Sequence, residues 1–149
     1  VVFTGGDAGN LEYVKKISDE LNLSDQVHFL GFVDNAEMKS LYKDSLALVM
    51  PSYFGPTNIP PLEAFALGVP VLYSDLPGLK DQVGDAALLL DLNNAESMAK
   101  HIFNLLTNEN LRKSLISSGK KRININNNYY EIVSMICSKF QIKMQTWKK

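Results

Sequence analysis

Apolar residues in this chain follow two alternating patterns: short unbroken runs, and longer stretches in which they recur every third or fourth position. Runs predict buried strands and the wider spacing predicts amphipathic helices, because side chains repeat every two residues on a strand and every 3.6 on a helix. Val1 to Thr4 is a run closed by Gly5-Gly6, which reads as a buried strand entering a tight turn. Asn10, a good N-cap, precedes Leu11, Val14, Ile17 and Leu21 at helical spacing. Val27 to Leu30 predicts a second strand, ended by Gly31. Asp34 with Glu37 has the capping-box pattern and opens a short helix through Leu41-Tyr42. Leu46 to Met50 predicts a third strand, with the continuous apolarity of a parallel strand buried on both faces, and Pro51 stops it.

After a loop from Ser52 to Pro60, Leu62, Phe65 and Ala66 predict a helix closed by Gly68. Pro70 to Tyr73 and Ala86 to Leu90 predict a fourth and a fifth strand, with mostly turn and one short helix between Ser74 and Gly84. Asn93 or Asn94 caps a helix with Ala95, Met98, Ile102 and Leu105 on one face, and another helix runs from about Asn108 to Ser118. Asn124 to Asn128 is a polar break before a last helix, 129–147, with Val133, Ile136, Phe140 and Met144 as its apolar stripe. Strand and helix alternate with short connections. That order selects an α/β fold, a Rossmann-like parallel sheet with helices on both faces and a C-terminal helical tail. Ligands in such sheets sit beyond the carboxyl ends of the strands. Three loops take that position: Gly5 to Asn10, Gly31 to Asn35, and Ser52 to Pro60.

The length, 149 residues, is that of one domain, and 46% apolar with 21% charged residues is an ordinary globular mix. A net charge of -1 argues against a nucleic-acid partner, which would need an excess of cations to neutralise phosphates. The lone Cys137 excludes an internal disulfide and fits a reducing compartment; on the last helix it reads as core. With no apolar run near the length of a membrane span and no visible signal peptide, the expected location is cytoplasmic. The chain opens on Val1-Val2-Phe3-Thr4 without a Met, which reads as a piece of a longer protein.

Two loops carry candidate chemistry. Gly5-Gly6-Asp7-Ala8-Gly9 lies between a strand and a helix, where glycines let backbone approach a phosphate; an ordinary turn is an equally open reading. In the second, Pro60 and Pro61 sit in a first helical turn, with the amides of Thr57, Asn58 and Ile59 just ahead of it. Free amides at a helix start suit a diphosphate. Glu63 lies one turn in, and two readings stand for it: pairing with sugar hydroxyls, or favouring its own helix dipole.

Pro51-Ser52, a glycine-bearing loop, and then Pro60-Pro61-Leu62-Glu63-Ala64-Phe65-Ala66-Leu67-Gly68-Val69-Pro70-Val71 resemble the signature of the retaining GT-B glycosyltransferases of family four, the glycosyl transferases group 1. Val27 to Val33, Leu76 to Leu79 and Gly84 to Leu89 extend the resemblance, which covers about residues 1 to 120. It implies the C-terminal half of a GT-B fold, a single nucleotide-sugar-binding domain of a two-domain enzyme that transfers a sugar, with retention, from a nucleoside diphosphate sugar to an acceptor hydroxyl. Glu63 would bind the ribose hydroxyls, the Thr57 to Ile59 backbone would face the diphosphate and donor sugar, Phe32, Val33 and Asp34 would border the nucleobase, and Gly5 and Gly6 complete the donor set. The acceptor, a glycan, lipid or other hydroxyl compound, would belong mainly to the missing N-terminal domain, so this piece alone would be inactive. Peripheral attachment of the full enzyme to the cytoplasmic membrane face is compatible with the resemblance.

One departure matters. The family carries two glutamates with seven residues between them; the second matches Glu63 and the first falls on Gly55, within Phe54-Gly55-Pro56-Thr57-Asn58, a variant loop of the same family. Asn58, which can offer an amide to a sugar hydroxyl, is the candidate catalytic residue in its place. Gly55 favours one rival, a non-catalytic nucleotide- or sugar-binding module; another, a sugar-nucleotide epimerase of the same architecture, would need acid-base residues that these loops do not offer. No cofactor or metal is expected, because Asp75, Asp81 and Asp85 lack metal-ligand spacing. His28 reads as structural, His101 as solvated, and Lys139, Lys143, Lys148 and Lys149 with Trp147 as a solvated helix end.

Overall fold

The structure, a computed structural model, describes residues 1–55 and 58–123. Thr57, the tail helix expected over 129–147, its apolar stripe, Cys137 and the lysines around Trp147 lie outside the described residues. The chain divides into two compact units, Val1–Leu41 and a second that begins at Tyr42. Every strand pairing in both is parallel, which makes this an α/β fold with parallel sheets.

In the first unit β1 (Val2–Thr4) pairs with β2 (His28–Gly31), joined by α1 (Leu11–Glu20) and a 3-10 turn at Ser24–Gln26. Val2 faces His28 and Phe3 faces Phe29, and their rings stack at 5.3 Å with planes 11° apart. The expectation of a buried first strand fails here: all of β1 is exposed, because among the described residues its sheet has two strands and β1 pairs with β2 alone. The cap of α1 also differs from expectation. Asn10 has near-helical backbone (φ −111, ψ 0) and no side-chain cap bond. Instead Asp7 Oδ1 accepts from the amides of Gly9 at 2.7 Å and Leu11 at 3.2 Å. α2 (Asn35–Asp44) opens as its sequence requires, with reciprocal bonds between Asp34 and Glu37 at 2.9 and 2.8 Å.

The second unit has a three-stranded sheet in the order β3 (Leu48–Met50), β4 (Val71–Ser74), β5 (Ala87–Leu90). Central β4 is buried along its whole length, as a strand flanked on both sides should be. β3 is an edge strand, so Val49, expected to be covered, is 38% exposed. Helices α3 (Ile59–Leu67), α4 (Leu79–Val83) and α5 (Ala95–Thr107) follow β3, β4 and β5, and 109–123 forms α6. Asn94, not Asn93, caps α5, its side chain accepting from the Ser97 amide at 2.9 Å. Leu72, Leu90, Leu105 and Leu115 form a buried cluster, with Met98 and Ile102 from the apolar face of α5 against it. Phe65 is 2% exposed and lies so close to Gly119 that a Cβ there would meet its Cδ1 at 2.7 Å.

Candidate functional site

Each unit presents candidate residues at the carboxyl ends of its strands, the end where parallel sheets bind ligands. In the first unit Thr4, Gly5, Gly6, Asp7, Lys15 and Gly31 are among the residues that line a cavity of about 270 Å³. Gly5 takes φ +114, open mainly to glycine, and its amide donates to the Gly31 carbonyl at 2.8 Å. The Gly9 and Leu11 amides at the α1 start, which a bound phosphate would use, are held by Asp7. Those bonds stabilise the carboxylate and pull the Asp7 pKa below its ordinary value. The α1 start thus behaves as a self-capped turn. Phe32, Val33 and Asp34 follow β2 but do not line this cavity. Phe32 is 89% exposed, Val33 half-buried, and the Asp34 carboxylate caps α2.

The second unit builds its candidate site around the start of α3. Asn58 is the N-cap in extended conformation (φ −91, ψ 121), with Ile59, Pro60 and Pro61 as the first helical residues. An N-cap side chain ordinarily accepts from the amide two or three residues on. Both of those positions are prolines, which have no N–H, and Asn58 accordingly makes no capping bond. Its side chain turns elsewhere: Nδ2 donates to the hydroxyl of Tyr73, which is fully buried on β4. The Asn58 amide, expected to be free for a diphosphate, donates to Gln82 Oε1 at 3.2 Å. Ile59, at the first helical position, keeps an amide with no partner inside its helix.

Glu63 is exposed one turn into α3, and one of its oxygens accepts from the hydroxyl of Tyr42 at 3.1 Å. The same hydroxyl lies 3.3 Å from the Pro60 carbonyl. Burial, then the negative charge of Glu63 and its hydrogen bond, push the Tyr42 pKa well above the ordinary tyrosine value, so the phenol stays a donor. Upstream, buried Ser74 donates to the Ser52 carbonyl at 2.6 Å and fixes where the loop leaves β3. Gly55, at the position of the expected first glutamate, sits against Asn58: a Cβ there would lie 2.2 Å from its Oδ1. Sequence reasoning missed Tyr42, Tyr73 and Gln82. Tyr73 did leave a signal, since a phenol inside a buried aliphatic strand must find a partner for its hydroxyl.

Residues 1–122 match the family described as Glycosyl transferases group 1. Among curated relatives, the O-antigen chain mannosyltransferase B of Escherichia coli is 32% identical over 93 residues, which are 62% of this chain and 24% of that protein. Among solved structures, sucrose-phosphate synthase from Thermosynechococcus elongatus superposes with a TM-score of 0.80 at 25% identity, over 94% of this chain and 37% of that one. Anabaena Alr3699/HepE, solved in complex with UDP, gives a TM-score of 0.72 at 21% identity, over 90% of this chain and 40% of that one. The chain therefore spans between about a quarter and two-fifths of the length of these proteins. With the parallel α/β architecture and the Pro60 to Val71 signature on α3 and β4, the match over residues 1–122 establishes that this chain belongs to the glycosyl transferases group 1 family, whose GT-B enzymes share its fold.

Proposed function

We propose that this chain is the donor-binding domain of a retaining hexosyltransferase that moves a sugar from a nucleoside diphosphate sugar to an acceptor hydroxyl. The observation that carries the reading is Glu63: an exposed carboxylate one turn into a helix whose first amide has no partner inside the helix, with one oxygen fixed by Tyr42. A carboxylate held in one orientation is suited to the paired hydroxyls of a ribose, and the helix start to a diphosphate. The solved complexes of HepE with UDP and with UDP-glucose support this donor class. Phe32 to Asp34 are assigned to the nucleobase border, with Asp34 engaged in capping α2. Transition-state help would come from oriented amide dipoles on the departing diphosphate. The acceptor, and cations that hold the diphosphate, fall to parts of the protein beyond this chain, which by itself would not turn over.

The test is calorimetric titration of the full-length protein with UDP, GDP, ADP and dTDP. One should bind, and Glu63→Ala should weaken it by the loss of charged hydrogen bonds, about 1.5–3 kcal/mol or roughly ten- to hundredfold. Unchanged affinity and turnover in Glu63→Ala would overturn the assignment. A second reading, a binding module without catalysis, is favoured by Gly55 in place of the usual carboxylate. Tight nucleotide binding with no sugar transfer or donor hydrolysis by the full protein would select it.

A further inference from the structure

Gln82 lies on α4, twenty-four residues from Asn58, yet it grips both peptide groups of that residue. Its Oε1 accepts from the Asn58 N–H at 3.2 Å and its Nε2 donates to the Asn58 carbonyl at 2.6 Å. A primary amide gives and accepts in one plane while uncharged. The network continues through the side chains. Asn58 Nδ2 donates to the Tyr73 hydroxyl, which donates in turn to Gln82 Oε1 at 3.4 Å. Arg122 of α6 holds the base of the arrangement, its guanidinium donating to the carbonyls of Gln82 and Asp81.

The arrangement answers a problem set by the sequence. Pro60 and Pro61 shape the helix start but deprive the N-cap side chain of the amides that would ordinarily hold it. Asn58 would otherwise be free to rotate about both the backbone and χ1. Gln82 holds its backbone and Tyr73 holds its amide by the nitrogen, and among the described residues Oδ1 has no hydrogen-bond partner. That oxygen lies in the space a side chain at position 55 would enter. A group fixed from three directions with one acceptor left over has the form of a prepared contact and not of a core filler.

We propose that Gln82, together with Tyr73, is a positioning residue for Asn58, setting the direction from which the Asn58 amide meets the donor sugar. The proposal rests on the nucleotide-sugar reading above and adds residues that the family signature does not contain.

The experiment compares full-length wild type with Gln82→Glu, Tyr73→Phe, Asn58→Ala and the Tyr73→Phe/Asn58→Ala pair. Gln82→Glu keeps the acceptor oxygen but turns a second acceptor toward the Asn58 carbonyl. UDP, GDP, ADP and dTDP are titrated, and release of the nucleoside diphosphate from the glucose and mannose conjugates of whichever binds gives kcat and KM. Both Gln82→Glu and Tyr73→Phe should lower kcat by about tenfold or more while nucleoside diphosphate Kd stays within about threefold. The paired variant should be no slower than Asn58→Ala alone, because Tyr73 acts through that side chain. Additive losses, unchanged kcat, or a lower Tm with unchanged kcat per folded molecule would overturn the proposal while leaving the donor reading intact. A wild type that binds none of the four nucleotides would overturn the donor reading and this proposal with it. Should Gln82→Glu fail to fold, Gln82→Met takes its place with the same expected and overturning results, and the Tyr73→Phe cycle tests the Tyr73 share.

Discussion

Replacing Gly55 by glutamate would restore, on paper, the carboxylate pair common in the family; the structure predicts that it damages the site. Gly55 has φ +151, and a Cβ built there falls 2.2 Å from Asn58 Oδ1, 2.5 Å from Nδ2 and 2.6 Å from Cγ. Contacts that short are not tolerated, so the Asn58 side chain must swing out. Leaving its place gives up the bond to Tyr73, about 0.5–1.5 kcal/mol. A side chain held at this positive φ adds roughly 1–3 kcal/mol of backbone strain. The combined cost, about 1.5–4.5 kcal/mol, corresponds to roughly 3–18 °C in Tm for a domain of this size. Gly55→Ala isolates the effect from any change in charge. Thermal unfolding of Gly55→Ala, Asn58→Ala and the double variant in the full-length protein separates its parts, because Asn58→Ala removes all three clashing atoms. In that background only the backbone share should remain. The reasoning fails if Gly55→Ala melts with the wild type, or if it costs as much without the Asn58 side chain as with it.

Gly119→Ala on α6 should lower the denaturant midpoint despite better helix propensity, because a gain of about 1 kcal/mol is outweighed by an overpacking cost of about 1–3 kcal/mol against Phe65, 2.7 Å away; a raised midpoint would refute the close packing. The raised pKa of Tyr42 makes stability fall as pH climbs above the ordinary tyrosine value of 10.0, since the unfolded chain ionises there first, and the contribution is fully present below it. Tyr42→Phe should flatten that alkaline slope, and equal slopes in the two proteins would rule the linkage out. We also propose a reaction without a divalent metal, since Asp75 is paired with Lys80 at 3.0 Å and Asp81 accepts from the Gly78 amide. Activity should survive exhaustive chelation; loss that magnesium or manganese restores would show otherwise.

Legibility followed the range of the interactions. The Asp34–Glu37 cap and the stop at Gly68, which takes φ +73, depend on residues within one turn and were readable from spacing, which also narrowed the α5 cap to Asn93 or Asn94. Where two candidates competed locally, the pattern chose less well. Asn10 has the right chemistry for a cap, but Asp7 reaches the same helix start from the glycine loop ahead of it. Among the site residues, Glu63 was visible through the motif around it. The free amide expected at Asn58 was not free, because its partner arrives from α4.

Taken alone, the order of apolar runs and helical periods determined an α/β chain with parallel strands, since consecutive strands joined through helices can pair in no other direction without longer connections. It also determined a helix start with two prolines and a carboxylate one turn in. Which strands were covered was decided only in three dimensions: β1 and β3 have apolar sequences as good as that of β4, but among the described residues β4 alone has a neighbour on each side within its sheet. The placement of Asn58 was decided there too. Its backbone is bound by Gln82 across twenty-four residues and its side chain by Tyr73 across fifteen. Hydrogen bonds over such separations leave no periodic trace, because they depend on where the sheet delivers each element and not on the spacing of residues along it.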